Sequence, residues 1–495
     1  MRARTIRTLV AAVSAVVVVN AGCATTKEAA TEAVREAPRE PWREARPSAG
    51  TPAALTFPTI QKAELKNGLT VLLVEDHTLP TVHASLVVRA GASLDGKEGG
   101  LADLTWDLLD EGAGSYSAAA LANAFADIGA SVSTAAGRES GAINVRVLRT
   151  ELDKALELLA LVAQKPAFAQ ADFDRLKRLH QGDLKGKEGN PETLAWQVLM
   201  AEVYGVDHAY GHAADGTVAT LDKIKQASVK RFWTEHAGPK NAALVLVGDL
   251  TLDDAKALGE KQLGKWRGGP SKPAKAPVAP KAKKATKILV VDFPGAPQTL
   301  IRIARPLLAA ADPDQAQAIV MNQVLGGMFT SRLNLKLREE KQWSYGAFSS
   351  VDARVGAGPF LIGTDVQTDK TGDALAEIFT QLDTLKTGGV TDEELGLAKA
   401  NYTRQLPALF ALPPLQASVA GNLFALGLPV DHYATLSTAV SGVVTDQVKA
   451  AAERAIVKDD FVVVLVGDKA AIEAGLVGKD LGEVVFVGRD GVVAK

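Results

Sequence analysis

The sequence predicts an α+β protein made of two related halves, each a largely antiparallel sheet packed with helices. Strand patterns and stretches of helical periodicity alternate along the whole folded length, and their hairpin-like spacings favour antiparallel pairing. A segment at 268–287, GGPSKPAKAPVAPKAKKATK, has four prolines, many lysines and almost no large apolar residue, so it reads as a semi-extended linker. The two parts it separates also end alike. NAALVLVGD at 241–249 and DFVVVLVGD at 460–468 are both β-branched and aliphatic runs stopped by Gly-Asp, each followed by a helical stretch, at 252–263 and 470–476. Matching strand–turn–helix units in corresponding places indicate an internal duplication.

Taken in order, the chain opens on basic MRARTIRT and the apolar run LVAAVSAVVVVN, followed by Ala-Gly-Cys at 21–23. That apolar core is too short for a comfortable permanent span, so residues 1–23 read as a bacterial-type export signal. Cys23 is the only cysteine, which excludes an internal disulfide, and its setting resembles the lipobox of bacterial lipoproteins, where this residue carries lipid. Asn20 stands where such signals usually carry an aliphatic residue, which leaves ordinary cleavage and secretion as the alternative. Residues 24–56 are rich in Ala, Glu, Arg, Thr and Pro and cannot bury enough apolar surface to offset ordering, so they read as a flexible tether.

The folded part then divides into 57–267, the linker 268–286, and 287–495. Strands are expected at 68–74, 81–88, 130–134 and 142–148, with helices at 101–109, 118–127 and 151–163. After the linker come strands at 287–293 and 298–304 and a helix at 314–325. An apolar fraction of 47% is ample for cores of this size, and a net charge of −2 gives no reason to expect nucleic acid as a partner.

The stretch SRLNLKLREEKQWSYG at 331–346 holds Arg338 and Tyr345, seven positions apart. On a continuous helix that spacing would send both side chains from nearly one face. A guanidinium fork and a phenol O–H then suit a peptide carbonyl or the oxyanion that develops on it. A solvated arginine and a packed tyrosine satisfy the same pattern. Downstream, GAGPFLIGTD at 356–365 reads as a glycine-rich turn into an apolar strand, either an edge that accepts a peptide by strand addition or an ordinary hairpin.

From about residue 57 onward the chain resembles the pitrilysin/insulinase family of metallopeptidases. The matching segments run in order: ELKNGLTVLLVEDHTLPTVHASLVVRAGA (64–92), GGLADLTWDLLDEGA (99–113), HAYGHAADGT (208–217), KNAALVLVGD, FPGAPQTLIRI (293–303) and LGGMFTSRLNLKLREEKQWSYG (325–346). The resemblance implies two related α+β domains in a clamshell. It also implies a zinc site on the first long helix, built on His-x-x-Glu-His with a glutamate from a later helix. Here that motif falls on Asp103, Leu104, Thr105, Trp106 and Asp107, without either histidine and with tryptophan at the general-base position. Near the third-ligand position the chain reads His180, Gln181, Gly182 and Asp183. Asp103, Asp107 and Asp183 could offer three carboxylates to a hard cation, but imidazole or thiolate ligands suited to zinc are missing. His208 and His212 lie in a turn-like sequence, and His77, His83, His180, His236 and His432 read as structural or surface residues.

By contrast, Arg338 and Tyr345 match the pair that, in the family, binds the substrate backbone from the second domain. The resemblance therefore implies a non-zinc subunit with no metal of its own, which binds peptide and completes the site of a zinc-bearing partner. It would be held through Cys23 on the periplasmic side of the cell envelope. The alternatives are a catalytically inactive relative used for binding or assembly, and an independent metallopeptidase with an unorthodox site.

Overall fold

In the computed structural model residues 40–44, 55–283 and 285–488 are described. The export signal, Cys23 and most of the 24–56 tether lie outside them. Unit Met1–Ala54 contributes one 3-10 turn, Pro41–Arg43, and from Leu55 onward the described chain forms a single unit.

Each half contains one six-stranded mixed sheet. The first is built from β1 (Ile60–Glu64), β2 (Thr70–Glu75), β3 (Thr81–Val88), β4 (Val132–Ala136), β5 (Gly141–Leu148) and β6 (Ala242–Gly248), in the order β1-β2-β6-β3-β5-β4. The second uses β7 (Lys287–Asp292), β8 (Gln298–Pro306), β9 (Ser344–Val351), β10 (Pro359–Gln367), β11 (Val462–Gly467) and β12 (Glu483–Val487), in the order β9-β10-β8-β11-β7-β12.

Five strands of one sheet map onto five of the other with the same sense at every pairing. β2 runs parallel to β6 as β7 runs parallel to β11, and β6/β3, β3/β5 and β5/β4 are antiparallel like β11/β8, β8/β10 and β10/β9. The sixth strands differ, because β1 adds antiparallel to β2 whereas β12 adds parallel to β7. The α+β expectation and the duplication read from the two Gly-Asp strands are thus met. Those strands are β6 and β11, every residue of which is buried, and strands covered on both faces read as unbroken apolar runs.

Helices cover the sheets, and two of them cross over. Helices α1 (Leu101–Asp107) and α2 (Gln170–Lys187) stay with the first sheet. Helix α3 (Pro191–Tyr204), capped by the Asn190 side chain on Thr193 N, leaves the first half and packs Leu194, Ala195, Val198 and Leu199 against Val291, Val462 and Val464 of the second sheet. Helix α4 (Pro413–Leu426) does the reverse, placing Ala417, Ala420 and Leu423 on Leu72, Val87 and Val245. Gly421 permits this approach, since a Cβ there would lie 2.9 Å from Val87 Cγ2. Arg89 fixes the end of α4: its guanidinium donates to Phe424 O at 3.1 and 2.5 Å and lies over the Phe424 ring.

The linker has no helix or strand among its described residues, yet it is laid onto the protein. His208 Nε2 meets Val278 O at 2.9 Å, and Lys283 N donates to Asp460 Oδ1 at 2.6 Å. The structure decides between the two readings of the run after 356 in favour of the hairpin. The apolar run after 356 is β10, hydrogen-bonded to β9 on one side and β8 on the other, so it cannot take a peptide by strand addition. The ends of the sheets, and so their open edges, are β1 and β4 in the first half and β9 and β12 in the second.

Candidate functional site

Helix α1 carries Asp103, Trp106 and Asp107, the residues that the resemblance aligns with the family's zinc motif. It starts at Gly100, whose φ of 90° suits glycine, and Asp95 caps it by accepting from Gly100 N and Ala102 N, both at 2.8 Å. Trp106 points inward and is fully buried. Its Nε1 donates to Ala90 O at 2.7 Å, and its ring meets Trp233 edge-to-face at 5.2 Å. Gly141 of β5 lies under the indole, where any Cβ would collide. The general-base position is therefore part of the core.

Asp103 and Asp107 leave an adjoining face of α1 and close on His180 of α2. His180 Nε2 contacts Asp107 Oδ2 at 2.8 Å, and Nδ1 lies 3.5 Å from Asp103 Oδ2. The hydrogen bond to Asp107 raises the imidazole above its usual range against its burial. Burial, aided by the Asp107 charge, pushes Asp103 up to about 6. The His180 ring is thus engaged through Nε2 by Asp107 rather than turned to an open ligand position. One engaged imidazole and two carboxylates, with a buried indole beside them, do not reproduce the two-imidazole, one-glutamate set that the family resemblance implies for zinc. Among the described residues, no group of three or more His, Cys, Asp or Glu could hold a metal ion. Asp183, the third carboxylate of the sequence reading, is replaced in this contact by His180. His180 lay in the expected third-ligand stretch, and that position was the one available clue.

The HAYGHAADGT segment is a clasp between the halves. Tyr210 is buried; its Oη donates to Glu139 Oε1 at 2.6 Å and accepts from Gly356 N at 2.9 Å. Glu139 Oε1 also accepts from Val355 N at 3.1 Å, and Tyr204 Oη donates to Ala357 O at 3.0 Å. His208 and His212 are engaged separately: His208 stacks on Tyr204 with Nε2 on Val278 O, while His212 Nδ1 meets Ala213 O at 3.1 Å. The glycine-rich turn at 356–358 is the other side of this clasp.

Arg338 and Tyr345 do not share a helix. Arg338 sits in a π-helical turn, Leu335–Glu340, which ends before Gln342 at φ 55°; Tyr345 then opens edge strand β9. The side chain that packs is Trp343, against the second core, whereas Tyr345 is 90% exposed. A register shift between Ser344 and Ala347 accounts for this. Tyr345 and Gly346 together oppose one residue of β10, and such a bulge re-aims a side chain. Ser344 Oγ secures the bulge by bonding Gly346 N at 3.0 Å and Thr364 Oγ1 at 2.8 Å. Arg338 stacks over Phe329 at 4.8 Å and pairs with Glu339 at 3.2 Å.

Two recesses adjoin these elements. One of about 350 Å³ is lined by Tyr345 and Phe348 of β9, with Arg302, Thr364 and Asp365 behind them; Arg338 is not part of its lining. The other, about 820 Å³, lies between edge strand β4 and helix α4. Small side chains such as Ser133, Ala135 and Ser85 line it, with Arg138 and Arg354 at its rim. An open strand edge facing a trough of small side chains can take an extended backbone.

The comparisons with known proteins accord with this geometry. A model described as insulinase, peptidase family M16, matches residues 70–214, and one described as the peptidase M16 inactive domain matches residues 223–402. The chain belongs to the M16, or insulinase, family. A Helicobacter pylori protein described as the non-peptidase homolog YmxG is 28% identical over 78% of this chain and 87% of its own length. An uncharacterized zinc protease of Streptomyces coelicolor is 24% identical over 69% of this chain and 75% of its own. The crystal structure of a peptidase M16 inactive domain from Pseudomonas fluorescens matches with TM-score 0.76 and 29% identity, covering 83% of this chain and 98% of that one. A protease from Helicobacter pylori shares the fold at TM-score 0.76 and 18% identity, over 83% of this chain and 100% of its own. This M16 chain thus combines the family architecture with a first helix whose Trp106 is packed in the core and whose Asp103 and Asp107 face His180.

Proposed function

We propose that this chain is the non-zinc subunit of a two-chain M16 peptidase, exported and anchored through Cys23, which holds peptide and completes the active site of a zinc-bearing partner. The observation that carries the reading is an asymmetry between the halves. The metal position of the first is filled by Trp106 and the Asp103–His180–Asp107 contact, while in the second a bulge presents Tyr345 almost fully to solvent beside a recess. An exposed tyrosine costs little to keep or lose for folding, so its presentation by a dedicated backbone irregularity points to use. Tyr345 and Arg338 would donate to the substrate backbone and to the charge that develops on its carbonyl. A second reading, binding or assembly without catalysis, is favoured by the description of the Helicobacter pylori relative as a non-peptidase homolog.

Affinity purification of the exported protein from its own cells tests the first reading directly, and a zinc-bearing M16 chain should come with it. In the reconstituted pair, Arg338→Ala and Tyr345→Phe should each lower turnover by about 10²- to 10³-fold, with association unchanged on the same samples. Full activity in both variants would hand the chain to the second reading. Cys23→Ser should release the protein from membranes; an unlipidated, wholly soluble wild type would remove the anchor from the proposal.

A further inference from the structure

The recess beside Tyr345 has a chemistry of its own, and at its back is a buried cation that is already over-neutralised. The Arg302 side chain is 4% exposed and pairs with two carboxylates, Asp365 of β10 at 2.8 Å and Glu192 of α3, which reaches across from the first half. One guanidinium against two carboxylates leaves an excess negative charge. Both carboxylates remain about half exposed, at 47% each. The mouth is aromatic, formed by Tyr345 and Phe348, and the Phe348 ring is held against Gly363, where a Cβ would stand 2.5 Å from it. Gln298 and Ser344 add neutral polar groups. The cations of the neighbouring turn pair locally: Lys336 with Glu340 at 2.6 Å, Arg338 with Glu339 at 3.2 Å, and Lys341 with Glu340 at 3.8 Å.

We infer that this recess receives the side chain of a lysine or arginine from an extended peptide. An aromatic mouth attracts a cation, and the half-exposed Asp365 carboxylate gives its charged end a partner. A volume of about 350 Å³ accommodates a long basic side chain. The recess opens beside the free edge of β9, so a strand running along that edge would bring alternate side chains over it. An acidic side chain would meet the excess negative charge. A purely apolar one would desolvate Asp365 without compensating it. The inference rests on the proposed peptide-holding role and adds to it a substrate preference.

The test uses the full-length protein in detergent and short extended peptides that differ only in one central residue: lysine, arginine, norleucine or glutamate. Lysine and arginine peptides should bind about tenfold tighter than norleucine, with glutamate weakest, and raised salt should erode the gap. Asp365→Asn should reduce the gap to about twofold. Because Asp365 also holds Arg302, its thermal melt is recorded in parallel. Gln298→Lys, which adds a cation to the lining and leaves Asp365 and Arg302 in place, should abolish the preference independently. Equal binding of lysine and norleucine peptides, or a preference that survives both variants, overturns the basic-residue pocket while the peptide-holding role stands. No measurable binding of any of the four peptides would remove both.

Discussion

Trp106 shows at one residue why a His-x-x-Glu-His sequence cannot simply be written into α1. Its ring is enclosed by Trp233 and Gly141, and its one donor is satisfied by Ala90 O. Trp106→Ala should cost about 3–5 kcal/mol, read as a fall in Tm. The combined variant Asp103→His, Trp106→Glu, Asp107→His should lose its cooperative melt, because a carboxylate in that enclosure has no partner. A triple variant that melts like wild type and binds one zinc would refute this account. His180 offers a pH-dependent counterpart. Its pKa is raised mainly by the hydrogen bond to Asp107, so its contribution is complete below the ordinary imidazole value of about 6.5 and is lost as pH rises through the higher folded value. Asp103, raised to about 6, acts with the same sign at lower pH: stability falls as pH climbs from its ordinary value of about 4 toward 6. Relative to wild type, His180→Gln should flatten the loss of stability above about pH 6.5. Parallel wild-type and variant curves through that window would show that the contact contributes nothing.

Among the elements, the clasp between 204–210 and 355–357 and the crossing helix α4 set how the halves meet. Tyr210→Phe removes a buried hydroxyl and leaves Gly356 N and Glu139 each short of a partner, a cost of about 1–3 kcal/mol. Its mark should be local: faster amide exchange at 355–357 with little change in β3 or β6. Uniform exchange acceleration across both sheets would instead make the clasp a core element. Gly421→Val should cost about 1–3 kcal/mol, because Gly421 is buried and its Cβ would press on Val87 within the α4 contact.

At the scale of the whole molecule, α3 and α4 exchange between the halves, so each sheet has one face completed by the other half's helix. Neither half has a finished core alone. The described chain from Leu55 onward should therefore unfold in one calorimetric transition despite its Pro/Lys linker. The pieces 24–267 and 268–495 should be soluble together but not apart. Two resolved transitions, or a well-folded isolated half, would show that the exchanged helices are dispensable.

Much of this was legible in the chain because it depends on local pattern. The period-two and continuous apolar runs located β3 at its observed bounds, and the two Gly-Asp strands became β6 and β11, equivalent positions in the two sheets. That Asp103, Trp106 and Asp107 stand where the resemblance expects two histidines and a glutamate is a matter of residue identity. Spacing misled where backbone geometry changed between two residues. The interval from Arg338 to Tyr345 looks helical, but the chain leaves its π-turn through left-handed Gln342 and enters a bulged edge strand, which no periodicity records. The strand after Gly358 looked available to a peptide because apolar sequence does not distinguish an edge from an interior strand; pairing on both sides does. The partners of His180 and Arg302 were not legible for the same reason, since they lie 63 to 110 residues away. The sequence by itself determined the fold class and the repeated strand–turn–helix unit, because composition and period are properties of neighbours along the chain. Only the tertiary structure decided that an ion-paired histidine stands opposite the empty motif, that the halves exchange helices, and that Tyr345 stands free beside a negatively charged recess, because those depend on which distant residues the sheets bring together.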